Sequence, residues 1–153
     1  MLRTFMIAAA LTLSTAAFAA QGGTAEEAKA MLDKAVAAVK ADKAKALDTF
    51  NRANGGFLDR DLYVFCAETT DGKIVANGNP NAKKLLGTDL RKLKDSKGKA
   101  YGQEIFAAGQ KPEGQITEVS GYLFPRPSDP KPASKNSFVV KVGDLFCGVG
   151  YYK

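Results

Sequence analysis

Apolar residues recur along this chain in two periods, and the change from one to the other divides it. From Ala25 to Phe50 the period is helical: Met31, Leu32, Ala35, Val36 and Val39 share one face, while Glu27, Lys34 and Lys40 lie off it. Thr24 followed by Glu27 forms a capping box that starts this amphipathic helix. The phase slips at Ala41 to Lys43, and Ala46, Leu47 and Phe50 define a shorter second stripe, which predicts a bend or break there. Asn54-Gly55-Gly56 ends the helical region.

The pattern then becomes that of short strands. Leu62 to Ala67 is rich in aromatic and branched residues, Asp71-Gly72 marks a turn, and Lys73 to Ala76 completes a predicted hairpin. Asn77 to Pro80 is irregular, Ala82 to Leu93 carries a helical pattern through Leu85, Leu86, Leu90 and Leu93, and Tyr101 to Ala108 predicts another helix. Gly114 to Phe124 reads as a strand and Pro125 to Pro132 as a proline-rich turn unable to join a central ladder. Asn136 to Val142 and Leu145 to Tyr151 form a hairpin about Gly143-Asp144. This order predicts an α+β domain with a single antiparallel sheet flanked by helices.

The first residues change the picture of where the domain works. Arg3, the apolar stretch Phe5 to Leu13 and the small-x-small motif Ala17-Phe18-Ala19 fit a signal peptide over residues 1–19, leaving one domain at 20–153 and a periplasmic or secreted location. The apolar run is too short for a stable membrane span, so the expectation is a protein that is not transmembrane. The formal net charge of +6 suits anionic surfaces or acidic ligands, and export argues against nucleic acid as a partner.

The chain has no histidine, which excludes Ser-His-Asp and Cys-His catalysis, His-rich zinc sites and haem attachment in their usual forms. Glu68, Asp71, Glu104 and Glu118 show no spacing that would pair two carboxylates around a substrate, and no calcium-loop pattern occurs. The expectation is a protein that is not an enzyme and carries no metal or other cofactor.

The ordered set Gly56-Phe57-Leu58, Asp61-Leu62-Tyr63-Val64-Phe65, Asp71-Gly72-Lys73, Asp95 to Tyr101, Tyr122 to Pro127 and Gly148-Val149-Gly150-Tyr151-Tyr152 resembles a single Cache domain of the second subfamily. These domains are extracytoplasmic relatives of the PAS fold with which bacterial receptors sense small molecules. The resemblance implies a five-stranded antiparallel sheet curled round a small pocket. Carried over position by position, it places Lys135 as the partner of a ligand carboxylate, Tyr122 as a wall and donor, Phe124, Tyr63, Phe65 and Tyr101 as walls, and Arg126 as a second cation. Asn77 stands where relatives often carry a histidine, and Leu123 and Phe124 where they often carry an arginine or polar residue and a tryptophan. In such a sheet the first and last strands are neighbours, so the resemblance also implies a Cys66–Cys147 disulfide, with two buried thiols as the alternative. The implied function is a stand-alone periplasmic module that binds a short organic acid and passes its occupancy to a separate membrane-bound signalling protein. The alternative is an interaction or structural domain with a closed pocket.

Overall fold

The computed structural model describes residues 22–153, and the expected signal peptide at 1–19 lies outside the described residues. Helix α1 spans Ala25–Ala41 and begins with the capping box: the Thr24 hydroxyl accepts from the Glu27 amide, and the Glu27 carboxylate accepts from the Thr24 amide. Asp42 ends α1 and caps α2, Lys43–Asn51, by accepting from the Lys45 amide, so the slip in the pattern is a true break.

Six strands follow: β1 (Leu58–Asp59), β2 (Leu62–Glu68), β3 (Ile74–Asn77), β4 (Thr117–Arg126), β5 (Asp129–Val142) and β6 (Leu145–Tyr152). They form one antiparallel sheet in the order β1-β2-β6-β5-β4, with β3 also paired to β2. The strand beyond the expected five is β1, whose two residues fold back on Leu62 and Tyr63 through a turn with Arg60 in the left-handed region. The first long strand and the last are neighbours. Cys66 lies opposite Cys147 in the β2–β6 register, and the two form a disulfide rather than free thiols.

Two further expectations are corrected. The segment from Ala82 to Leu93 is not one helix but two 3-10 turns, Pro80–Leu85 and Leu90–Lys92, separated by extended chain. The reason is backbone bonding: Gly87 donates to Ile74, Ile74 to Thr88 and Leu90 to Gly72, which commits this stretch to lie alongside β3. The proline-rich segment does not form a turn alone, because β4–β5 pairing runs out through Pro125↔Pro132 to Arg126↔Asp129. The other edge of β5 pairs with β6 only as far as Lys135↔Tyr152, so Pro130 and Pro132 sit beyond the central ladder, where a missing N–H is tolerated.

Strand alternation divides the buried residues between two faces. Val64, Cys66, Val140, Cys147 and Val149 pack against Leu32, Ala35 and Phe50 of α1 and α2. Tyr63, Phe65, Ala67, Lys135, Ser137, Val139 and Phe146 point the other way, toward the 3-10 turns and helix α3, Tyr101–Gly109.

Candidate functional site

On the second face one residue departs from apolar packing. Lys135 is 1% exposed, and its ammonium donates to the Tyr63 hydroxyl at 2.6 Å. The same nitrogen lies 4.1 Å from the Tyr63 ring centre, 5.0 Å from that of Phe124, 5.2 Å from that of Tyr152 and 5.8 Å from that of Phe65. These ring faces offer a cation some compensation for lost water. No carboxylate of the described residues forms an ion pair with it. Burial therefore lowers the Lys135 pKa to about 7, against a weaker upward pull from Asp61.

Space for this side chain comes from β6. Gly148 and Gly150 face the site, and a Cβ at Gly150 would strike the Lys135 stem while one at Gly148 would strike the Phe65 ring. Tyr152, two residues further along the same face, closes the cage and donates to the Pro125 carbonyl at 2.6 Å. Tyr122 and Ser137 share a hydrogen bond of 2.6 Å, and the Tyr122 ring stacks on that of Tyr101 with centres 4.7 Å apart. Burial raises the pKa of both Tyr63 and Tyr122, which keeps them neutral phenols.

The cavity beside Lys135 has a volume of about 30 Å³, enough for one or two waters. Tyr63, Phe65, Asn77, Tyr101, Tyr122, Phe124 and Lys135 all line it, so the structure brings these sequence-predicted residues together. Arg126 is not among them. The β4–β5 hairpin tip is held by Asn81, which donates to the carbonyls of Arg126 at 2.7 Å and Pro127 at 3.2 Å. There the Arg126 guanidinium covers the outer side of Tyr152, 4.7 Å from the ring centre, with its Nε 3.4 Å from the Asp61 carboxylate.

Sequence reasoning missed Tyr152 and the apolar wall of Ile74, Leu85, Leu90, Leu93 and Ile105. The Gly-x-Gly-x-Tyr run at 148–152 is the signal that could have found the first, since it places two gaps and an aromatic ring on one strand face. Outside the partition made by Leu85, Leu93, Tyr101 and Phe124 lies a wider cleft of about 380 Å³, with Lys84 and Lys94 on its rim. Among the described residues no cluster of three metal-ligating side chains occurs, and no helix is long and apolar enough to cross a membrane.

An antiparallel sheet with helices on both faces and a small cavity against one of them is a PAS-like α+β architecture. The profile of the family described as Single Cache domain 2 matches residues 6–152, and the chain belongs to that family. Solved structures that share the fold include the following three. A methyl-accepting chemotaxis protein from Vibrio parahaemolyticus RIMD 2210633 is 23% identical with a TM-score of 0.65, covering 83% of this chain and 86% of that one. The periplasmic sensor domain of a chemotaxis protein is 24% identical with a TM-score of 0.61, covering 83% and 88%. A Cache chemosensory domain described for its carboxylic acid recognition is 21% identical with a TM-score of 0.63, covering 83% and 91%. No curated protein matches the chain. Cache domains are extracytoplasmic sensors rather than enzymes, and the Cys66–Cys147 disulfide fits an oxidising compartment.

Proposed function

We propose that this chain is a periplasmic sensor module that binds a short monocarboxylate non-covalently at Lys135 and passes its occupancy to a membrane-bound partner. The observation that carries the reading is a fully buried ammonium whose contacts are a phenol oxygen and ring faces, with no anionic partner in contact among the described residues. A carboxylate beside it would supply the missing charge through a charge-assisted hydrogen bond, with Tyr63 as a second donor. Lys135 is the one cation among the described residues lining the cavity, which favours one carboxylate over two. The aliphatic wall suits a short alkyl tail. The solved neighbour described for carboxylic acid recognition supports the same ligand class.

Even acetate needs more room than one or two waters occupy, so binding requires outward movement of the wall that Leu85 and Leu93 contribute. The small cavity also supports a second reading, an interaction domain whose pocket stays closed. Thermal denaturation with acetate, propionate, butyrate and succinate separates the two. The expected result is a rise in melting temperature with the short monocarboxylates that disappears in Lys135→Met, because a ligand that binds only the folded state stabilises it. A flat response across the panel would move the assignment to the closed-pocket reading.

A further inference from the structure

The Lys135 amine is placed for a second kind of chemistry. It is buried, lines a cavity of about 30 Å³, and has a phenol oxygen at 2.6 Å. We propose that Lys135 captures a small aldehyde as a reversible imine, with Tyr63 carrying the proton. This goes beyond the carboxylate reading and does not depend on it.

The step balances without an oxidant or reductant. The nitrogen lone pair attacks the carbonyl carbon, forming the N–C bond, and the carbonyl oxygen takes up a proton to give a carbinolamine. That hydroxyl then leaves as water while nitrogen gives up its remaining proton, so amine and aldehyde yield imine and water. The Tyr63 hydroxyl can relay the proton in one step, accepting from nitrogen as it donates to the departing oxygen, so that it stays the neutral phenol its raised pKa favours.

Three features favour this amine over the exposed lysines. Its lowered pKa leaves a far larger share of it neutral at pH 7 than of an ordinary lysine, of which about one in three thousand is neutral. The rings of Tyr63, Phe124 and Tyr152 suit either the neutral imine or its protonated form. The aliphatic wall favours a small uncharged carbonyl compound, which would enter by the same outward movement of Leu85 and Leu93 that acetate needs, and among the described residues no second cation lines the cavity to hold a carboxylate once the amine has reacted.

The test uses the purified protein with its disulfide intact, acetaldehyde as the probe and cyanoborohydride at pH 7 to trap the imine, read by peptide mass mapping. Lys135 should be ethylated at least about tenfold faster than Lys84 or Lys94, which serve as internal references. Ethylation of the exposed lysines with Lys135 untouched would overturn the proposal. Benzaldehyde should reverse the order, since its ring needs a far larger opening of the wall than acetaldehyde does, and fast benzyl labelling of Lys135 would count against selection by the wall. Tyr63→Phe should slow Lys135 about tenfold relative to Lys84 in protein whose urea midpoint shows it still folded, a control that is needed because unfolding would also equalise the two lysines. An unchanged ratio would remove Tyr63 from the step. Protection of Lys135 by acetate would place both ligands at one amine. Labelling that acetate leaves unaffected would count against the carboxylate reading and leave the imine standing.

Discussion

The two faces of the sheet are built on opposite principles. On the α1 side the buried contacts are apolar, aliphatic and small side chains together with Phe50 and Phe138, Leu32 and Ala35 are wholly buried, and the disulfide lies within the same layer. On the α3 side the sheet presents phenols, a serine hydroxyl and a buried lysine around a void. One face is a plain apolar core, while the other gives up some stability to bury an amine. Protein cores normally exclude an ammonium without an anionic partner, and that is the ground on which the ligand site is proposed for this face.

Breaking the stabilising face should have the larger effects. The disulfide spans a sequence separation of 81, and chain-entropy arguments give its loss a cost of about 4 kcal/mol. Urea denaturation of Cys66→Ala/Cys147→Ala should show that loss, and an unchanged midpoint would mean that the α1 layer holds the strands without the bridge. Leu32→Ala should cost about 3 kcal/mol through lost burial and the remaining cavity, measured in the same way.

The other face should respond with the opposite sign. Lys135→Met removes a buried charge while keeping a flexible apolar stem, so the ligand-free protein should gain about 2 kcal/mol at pH 7. A loss of stability instead would show that the hydrogen bond to Tyr63 outweighs desolvation. The pH dependence sharpens this contrast. The folded pKa of about 7 lies below the ordinary 10.5, so between these values the unfolded chain holds a proton that the folded chain lacks. Raising the pH from 7 toward 10.5 should therefore stabilise the native protein through this residue, while below pH 7 its contribution stays constant. The slope should be missing in Lys135→Met. Affinity for acetate should fall about tenfold per unit above pH 7, since the anion needs the charged lysine. The smallest effect belongs to Arg126→Ala, below about 1 kcal/mol, because its pair with Asp61 is long and partly exposed.

The stabilising face was also the more legible in sequence. Thr24, Glu27 and Asp42 act on backbone groups within a few residues, and the α1 stripe needs only helical spacing, so both appear in local pattern. The leucines from Leu85 to Leu93 mislead for the same reason: their spacing is helical, but the intervening amides bond to the chain at 72–74. The lysine at 135 was visible through family resemblance, whereas its cage depends on the register that sets it opposite Tyr152. Arg126 could not be placed from sequence, because its direction follows from the way Asn81 holds the hairpin tip.

The cross-link at Cys66 and Cys147 has a mechanical consequence for sensing. It joins β2 and β6, the two strands that carry Tyr63, Phe65, Gly148, Gly150 and Tyr152, so the floor of the cavity is stapled on its far side. A container with a stapled floor enlarges by lifting its roof. The roof is the stretch from Pro80 through Leu93 into α3, whose short turns are tied to β3 by a few backbone bonds. Occupancy would thus be reported as displacement of one side of the molecule against a stationary other, a motion with a fixed direction that a docked partner could read.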